Sequence, residues 1–302
     1  MTKAIPVRLL ILGGLLLTLA AAPTAGQTGI TVHRDIDYID GVDYADDKDK
    51  LDVRMPAGAT HAPVIVFFHG GGLESGTKRI GDGLASSLVA EGIGVVTANY
   101  RLSPGVMHPA HIEDATAAFA WTKRHIAEYG GDPDRVFVGG HSAGAYLAAL
   151  MSLDPSYLRA HGMGLMAIRG ALPVSPFLYV EETAKDRSKT VWGTDKQVWL
   201  TASVTPYIGA GKPPMRLIYA DGDDDWRRAQ NERLKTALSK AGSTVDTVEI
   251  ADSNHGSGRG ALAGDGQSTA PRQLAGACLL RLQHLLEPPL LHVDMCEIPG
   301  RQ

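Results

Sequence analysis

The sequence predicts an α/β fold in which a mostly parallel sheet carries helices on both faces. Short apolar runs alternate with segments of helical periodicity between residues 64 and 250, as in parallel sheets with helical crossovers. A Gly-x-Ser-x-Gly pentapeptide, residues 140–144, stands between one such run and a helical segment. The chain has 302 residues, of which 44% are hydrophobic, and no Pro/Ser-rich linker divides it. We therefore expect one domain over residues 27–302.

The expected elements follow in chain order. Residues 30–56 alternate between apolar and polar side chains and predict an opening antiparallel hairpin. The first half then carries strand Val64–Phe68, a helix near Asp82–Glu91, strand Val95–Asn99, a helix near Ile112–Tyr129, strand Val136–Val138 and helix Ala143–Leu153. The second half carries an irregular segment over Ser175–Lys212, which we expect to cover the mouth of the site, then strand Pro213–Tyr219, helix Trp226–Ala241, strand Val245–Ile250 and a closing helix Leu274–Leu286.

The pentapeptide Gly140-His141-Ser142-Ala143-Gly144 is a candidate nucleophile turn. It joins an apolar strand to a helix, and in that geometry the serine lies on a strained turn with its hydroxyl exposed above the sheet. Small residues flank the serine because strand and helix backbones approach closely there. Taken alone, a glycine-bracketed serine is equally compatible with a solvated loop.

The turn His69-Gly70-Gly71-Gly72 ends another apolar run and is a candidate oxyanion hole. Glycines let backbone N–H groups approach a developing negative charge without a side chain intervening. We expect donors from Gly71 and Gly72, joined by the N–H of Ala143, the residue after the serine. The alternative is a plain glycine turn at the end of a strand.

An acid and a histidine follow the serine in the order expected of a catalytic triad. Four aspartates lie in the loop after strand Pro213–Tyr219, at positions 221, 223, 224 and 225, and His255 follows the next strand. The order Ser…Asp…His is that of hydrolases with a nucleophile elbow. His255 would accept the proton of Ser142, and one of the carboxylates would hold its tautomer.

Further blocks make the resemblance to a known family specific. Besides the two glycine motifs, the chain carries Asn99-Tyr100-Arg101-Leu102-Ser103-Pro104, then His108–Asp114, then Gly131-Asp132-Pro133 before the nucleophile strand. From about Asp46 to Gly260 it resembles the α/β-hydrolases of the hormone-sensitive-lipase and carboxylesterase group, close to bacterial feruloyl/acetylxylan-esterase-like hydrolases. The resemblance implies the α/β-hydrolase fold with an eight-stranded, mostly parallel sheet. We expect Asn99–Arg101, Asp114 and His69 to be structural.

The resemblance also selects among the four aspartates. An ungapped alignment to the family pattern places Asp223 at the position of the acid and His255 at the position of the histidine. A rival register, with Gly222 as the family glycine, selects Asp225 instead. This chain departs from the family by having Tyr219-Ala220 where a His-Gly pair is usual.

These residues predict a secreted serine carboxylesterase that acts on small or carbohydrate-linked esters through an acyl-enzyme on Ser142. Arylformamidase or peptidase chemistry on the same triad is the first alternative, and a non-catalytic hydrolase-fold binding protein is the second. The sequence indicates no metal ion and no organic cofactor, since it has no His/Cys cluster with zinc spacing and no dinucleotide fingerprint. The formal net charge of −4 and the absence of a basic patch argue against nucleic acid as a partner.

The N-terminus has the pattern of a secretory signal peptide. Lys3 and Arg8 precede the apolar run Leu9–Ala22, and small residues follow. We expect residues 1–26 to be removed and the protein to be periplasmic or secreted, without stable membrane insertion, because the run is short for a bilayer span. A retained anchor is the alternative.

The two cysteines, Cys278 and Cys296, both lie near the C-terminus. Export would permit a disulfide between them, and two buried thiols are the alternative.

Overall fold

A computed structural model describes residues 29–41, 44, 46–187 and 189–255. Within these residues one sheet of eight strands has the order β1-β2-β4-β3-β5-β6-β7-β8. The strands are β1 Ile30–Asp37, β2 Lys50–Pro56, β3 Ala62–Phe68, β4 Gly94–Ala98, β5 Gly131–His141, β6 Ala171–Val174, β7 Met215–Gly222 and β8 Val245–Asn254.

Strand directions agree with the predicted architecture. β1 pairs with β2, and β2 with β4, in antiparallel register, with Val53 opposite Val96. All remaining neighbours are parallel. The opening hairpin and the mostly parallel eight-stranded sheet are therefore confirmed.

Helices cover both faces of the sheet. They are α1 Gly81–Leu88, α2 Ala110–His125, α3 Ala143–Leu153, α4 Pro155–Arg159, α5 Val180–Thr183, α6 Lys189–Trp192, α7 Lys196–Ala202 and α8 Asp225–Lys240. α1 packs on one face, and α2, α3 and α8 pack on the other. This two-sided cover explains why the strands have continuous apolar runs. In β3, Val64, Val66 and Phe68 join one core cluster, whereas Ile65 and Phe67 join the other.

The largest difference from the sequence-based prediction concerns Ser175–Lys212. The sequence predicts an irregular segment here, but the structure contains the short helices α5, α6 and α7. None of the three is longer than seven residues, so none carries enough turns to show a helical apolar period. The prediction that the segment is irregular is wrong in this respect.

Several expectations concern residues outside those that the structure describes. They are the signal peptide over residues 1–26, the closing helix Leu274–Leu286 and the pairing of Cys278 with Cys296. With the domain bounds of 27–302, these stay predictions. In the described ranges, no helix combines the length and apolar character needed to cross a bilayer.

Candidate active site

Ser142 occupies a strained turn between β5 and α3. Its backbone has φ 54° and ψ −111°, in a region that residues with a Cβ rarely adopt. The turn is held from both sides: the N–H of Ser142 donates to the carbonyl of Val174 at 2.8 Å, and its carbonyl accepts from the N–H of Tyr146 at 3.0 Å. The side chain is thereby fixed at the edge of the sheet where the parallel strands end.

The two glycines of the pentapeptide are required by close backbone approach. A Cβ on Gly140 would overlap the backbone of Gly144, and a Cβ on Gly144 would overlap the carbonyl of Phe68. Any side chain at either position would push α3 away from β3 and β5. The spacing Gly-x-Ser-x-Gly is thus a packing requirement that leaves the serine between strand and helix.

A chain of hydrogen bonds links Ser142, His255 and Asp223. His255 Nε2 lies 3.0 Å from Ser142 Oγ, and His255 Nδ1 lies 2.8 Å from Asp223 Oδ1. A carboxylate can only accept, so Nδ1 carries the proton and Nε2 is free to accept from the serine hydroxyl. This arrangement can activate a hydroxyl as a nucleophile.

The carboxylate of Asp223 is buried and fully engaged. Besides His255, it accepts from Ser175 Oγ at 2.5 Å and from the N–H of Ala220 at 3.0 Å. Burial raises the pKa of Asp223, but the hydrogen bonds from His255, Ser175 and the Ala220 N–H outweigh it, so the pKa lies below its usual value. The acid is therefore ionised at neutral pH, as a group that stabilises an imidazolium must be.

The other aspartates of the loop have different surroundings. The Asp225 side chain is 94% exposed and pairs with Arg228 at the start of α8. Asp224 is the residue before α8. The structure therefore places Asp223, and not Asp225, beside His255, in agreement with the ungapped register.

Asp221 holds the chain just before His255. Its carboxylate accepts from the N–H groups of Asp252 at 2.8 Å and Ser253 at 3.0 Å. Here β8 bulges: Ala220 pairs with Ile250, but Gly222 pairs with Asn254, so β8 has two more residues than β7 over this interval. The bulge and the hydrogen bonds of Asp221 together place His255 beside Asp223. The sequence analysis did not identify this role of Asp221.

The glycine loop after β3 leaves N–H groups available beside Ser142. Among the described residues, the N–H groups of Gly71 and Gly72 donate to no backbone carbonyl, and Ala143 is the first residue of α3, where N–H groups lack a helical partner. Gly71 has φ 115°, and a Cβ there would overlap the carbonyl of Ser75. Two of the expected oxyanion donors, Gly71 and Gly72, thus lie on a loop whose conformation requires glycine.

The residues expected to be structural support this loop. His69 Nδ1 donates to the carbonyl of Gly70 at 2.8 Å, and its ring stacks on Tyr100 at 4.2 Å. The Tyr100 hydroxyl donates to the His69 carbonyl at 2.8 Å. Arg101 forms a bidentate pair with the buried Asp114, with nitrogen–oxygen distances of 2.7 and 2.8 Å. The structural assignment of Tyr100, Arg101, Asp114 and His69 is confirmed.

Two buried side chains near the triad were not identified from the sequence. The ring of His141 lies 5.0 Å from that of His255, and its Nε2 is 3.2 Å from the His255 carbonyl. Arg227 donates to the Ser175 carbonyl at 2.7 Å and places its Nε 3.8 Å from Asp223. The only signals in the sequence were the position of His141 inside the pentapeptide and that of Arg227 four residues after Asp223.

The described residues contain no cluster of three or more histidine, cysteine, aspartate or glutamate side chains able to hold a metal ion.

Three buried histidines predict a loss of stability in mild acid. Burial lowers the pKa of His69 and His111 to about 4 and that of His141 to about 3. In the unfolded chain histidine titrates near pH 6.5, so the unfolded state takes up these protons first. The contribution of these histidines to the free energy of unfolding is fully present above about pH 6.5. It falls as the pH drops toward 4, by up to about 1.4 kcal/mol per pH unit for each histidine.

Urea unfolding at pH 7 and pH 5 checks this expectation, with a lower midpoint at pH 5. The lowered pKa values of carboxyl groups such as Asp82 and Asp223 act only below about pH 4, outside this window. The variant His111→Asn removes one titrating group and should flatten the pH dependence. A midpoint that does not change between the two pH values would contradict the expectation.

A profile of the alpha/beta hydrolase fold family matches residues 65–258, a range that includes Ser142, Asp223 and His255. The chain belongs to this family. The resemblance drawn from the motifs and the predicted fold class are confirmed.

This alpha/beta hydrolase is similar to two curated proteins of Mycobacterium tuberculosis. It is 33% identical to esterase LipQ over 215 residues, which are 64% of this chain and 50% of the relative. It is 31% identical to carboxylic ester hydrolase LipN over 229 residues, 67% of this chain and 58% of the relative. The chain spans about half the length of the curated relatives it matches.

Solved structures of esterases share the fold. Thermogutta terrifontis esterase 2 phosphonylated by cyclosarin is 25% identical, with a TM-score of 0.70 and coverage of 85% of this chain and 94% of that one. Esterase B from Lactobacillus rhamnosis is 18% identical, with a TM-score of 0.70 and coverage of 86% and 89%. At that identity the second likeness shows the fold alone.

Proposed function

We propose that this alpha/beta hydrolase is a serine carboxylesterase that cleaves small carboxylic esters, including carbohydrate-linked ones. The observation that carries the proposal is the hydrogen-bond chain from Ser142 through His255 to the ionised Asp223. The names of LipQ and LipN, an esterase and a carboxylic ester hydrolase, support the ester bond as the target.

The geometry supports a two-step mechanism. Ser142 Oγ attacks the ester carbonyl carbon while its proton passes to His255 Nε2, and the N–H groups of Gly71, Gly72 and Ala143 stabilise the negative oxygen. The C–O bond to the alcohol then breaks, and the alcohol leaves with the proton from His255. Water attacks the acyl group on Ser142, His255 takes a proton from that water, and the acid is released as the serine regains its proton.

The decisive experiment combines active-site labelling with a substrate panel. A fluorophosphonate probe should label the purified protein once, and peptide mass spectrometry should place the label on Ser142, as cyclosarin phosphonylates the Thermogutta esterase. The panel contains p-nitrophenyl esters, acetylated sugars, feruloyl esters, N-formylkynurenine and a peptide anilide. Turnover of amides but not esters, or labelling away from Ser142, would overturn the proposal.

Export by the N-terminal segment is part of the same proposal. Lys3, Arg8 and the apolar run Leu9–Ala22 support it. When the whole chain is produced in a bacterium able to export it, mature protein lacking residues 1 to about 26 should appear in the periplasm or medium. Intact Leu9–Ala22 on membrane-bound protein would favour the anchor instead.

His141 is expected to position the catalytic histidine. Its buried, neutral ring donates from Nε2 to the His255 carbonyl, and a change to phenylalanine keeps the ring but removes that donor. We expect His141→Phe to lower kcat by about 10- to 100-fold, because a small displacement of the base misaligns the reacting atoms, with little change in KM. His125→Phe, at a half-exposed position on α2, is the matched control.

The variant His141→Gln keeps an N–H donor and should recover part of the lost kcat. An unchanged kcat for His141→Phe, with normal labelling of Ser142, would show that the contact does not position His255.

A further inference from the structure

A cavity of about 520 Å³ opens between the inserted segment and the start of α8. It is lined by Glu182, Thr183, Lys185, Arg187, Trp226 and Gln230. Trp226 is followed directly by Arg227, whose guanidinium lies over the Trp226 ring at 4.7 Å and close to Asp223. The cavity therefore adjoins the loop that carries the triad acid.

Arg187 presents its charge to this cavity from an aromatic support. Its guanidinium carbon lies 4.1 Å from the centre of the Phe177 ring and 5.9 Å from that of Trp192. Both rings are buried and pack with Tyr146 on the nucleophile helix α3. Among the carboxylates whose side chains the structure describes, none lies within salt-bridge distance of Arg187. A guanidinium fixed in this way keeps its hydrogen-bond donors for a ligand.

The acid of the cavity is already neutralised. Glu182 accepts from Arg233 at 2.7 Å and from the Gln230 amide at 3.2 Å. Glu182 therefore does not offset the positive charge of Arg187, which lines the same cavity.

Arg187 also lies within electrostatic range of both sides of the candidate active site. Burial lowers its pKa, and the attraction of Glu74, three residues after Gly71, partly offsets that effect. Arg187 in turn contributes, after burial, to the lowered pKa of Arg227 beside Asp223. Thr190 of α6 donates to Glu74 at 3.2 Å, which ties the inserted segment to the oxyanion loop. The charge of Arg187 therefore acts both on Glu74, in the loop after β3, and on Arg227, beside the acid.

We propose that this cavity binds a carboxylate of the substrate, so that the preferred substrates are esters carrying a second, ionised carboxyl group. Arg187 is the specificity-determining residue: its planar guanidinium suits bidentate pairing with a carboxylate, and the exposed face of Trp226 packs against the connecting carbon chain. The inference rests on the proposed esterase function and adds its substrate class.

Matched anionic and neutral esters test the proposal. Monobenzyl succinate and benzyl levulinate differ only in a carboxylate replaced by a methyl ketone on the acyl side. The compounds 4-carboxybenzyl acetate and 4-acetylbenzyl acetate make the same comparison on the alcohol side. In at least one pair we expect kcat/KM for the anionic ester to exceed that for the neutral one by about tenfold or more, and added salt to reduce only the anionic value.

The variant Arg187→Gln should lower kcat/KM for the preferred anionic ester by about 10- to 100-fold and leave its neutral counterpart nearly unchanged. Arg187→Lys should retain part of the preference, and Arg228→Gln, which removes a cation paired with Asp225 on the surface of α8, should retain all of it. If Arg187→Gln does not fold, the salt dependence of the wild-type protein still decides.

Efficient hydrolysis of neutral esters with no anionic preference in either pair would overturn this inference and leave the proposed function standing. Failure of the wild-type protein to hydrolyse any ester of the panel would overturn both.

Discussion

Replacement of Ser142 by alanine is expected to abolish ester hydrolysis while leaving the fold intact. In the proposed mechanism the Oγ atom, which is hydrogen-bonded to His255, is the nucleophile, so its removal eliminates the acyl-enzyme route. Loss of a triad member leaves only the rate supplied by the oxyanion hole and substrate binding, and we expect kcat to fall by about 10⁴-fold or more. The side chain is half-buried at the edge of the sheet, so its loss leaves no sizeable core cavity.

Steady-state kinetics on a p-nitrophenyl ester, with a thermal melt, check this result. The variant Ser86→Ala, at an exposed serine of α1, is the matched control and should keep full activity. Esterase activity close to wild type in Ser142→Ala would remove the serine from the mechanism.

The second large effect is expected at Asp223. Asp223→Asn keeps the shape of the side chain but removes the charge that holds Nδ1 of His255 protonated. The amide can donate to Nδ1, which favours the tautomer that cannot accept from Ser142. We expect kcat to fall by about 10³- to 10⁴-fold.

Asp225→Asn is the matched control for this substitution, since it makes the same chemical change two residues away at an exposed position. It should cost little activity. Both variants should melt within a few degrees of wild type, so that the rates report chemistry rather than unfolding. An inactive Asp225→Asn beside an active Asp223→Asn would transfer the role to Asp225.

The features that could be predicted from the sequence are those that produce a local sequence pattern. Ser142 stands in a pentapeptide whose glycines are demanded by contacts within a few residues or with the neighbouring strand. His255 follows a recognisable strand. The fold class follows from the alternation of apolar runs with helical segments. The strands are apolar throughout because each face of the sheet is buried against helices.

What could not be predicted depends on contacts between distant segments. Ser175 reaches Asp223 from 48 positions away, and His141 reaches the His255 carbonyl from 114. The alignment selected Asp223, but the rival Asp225 is excluded only by the contact of Asp223 with His255 and by the exposure of Asp225. The helices of the inserted segment are too short to show a helical apolar period. Arg187, the proposed specificity-determining residue, lies in that segment, and no local sequence motif identifies it.

The geometry of the triad depends on the number of residues in the β8 bulge, but not on the length of the turn that precedes β8. The two extra residues before Asn254 set where His255 emerges, so a deletion there would move the base away from the acid even though every catalytic residue was kept. The turn at Gly242, by contrast, joins α8 to the opposite end of the same strand. Its φ of 84° favours glycine, but apart from its two chain neighbours no atom of the described residues lies within 4 Å of where a Cβ would stand. We expect insertions and loop grafts to be tolerated at Gly242, whereas the segment Ile250–His255 must keep its length for His255 to reach Asp223.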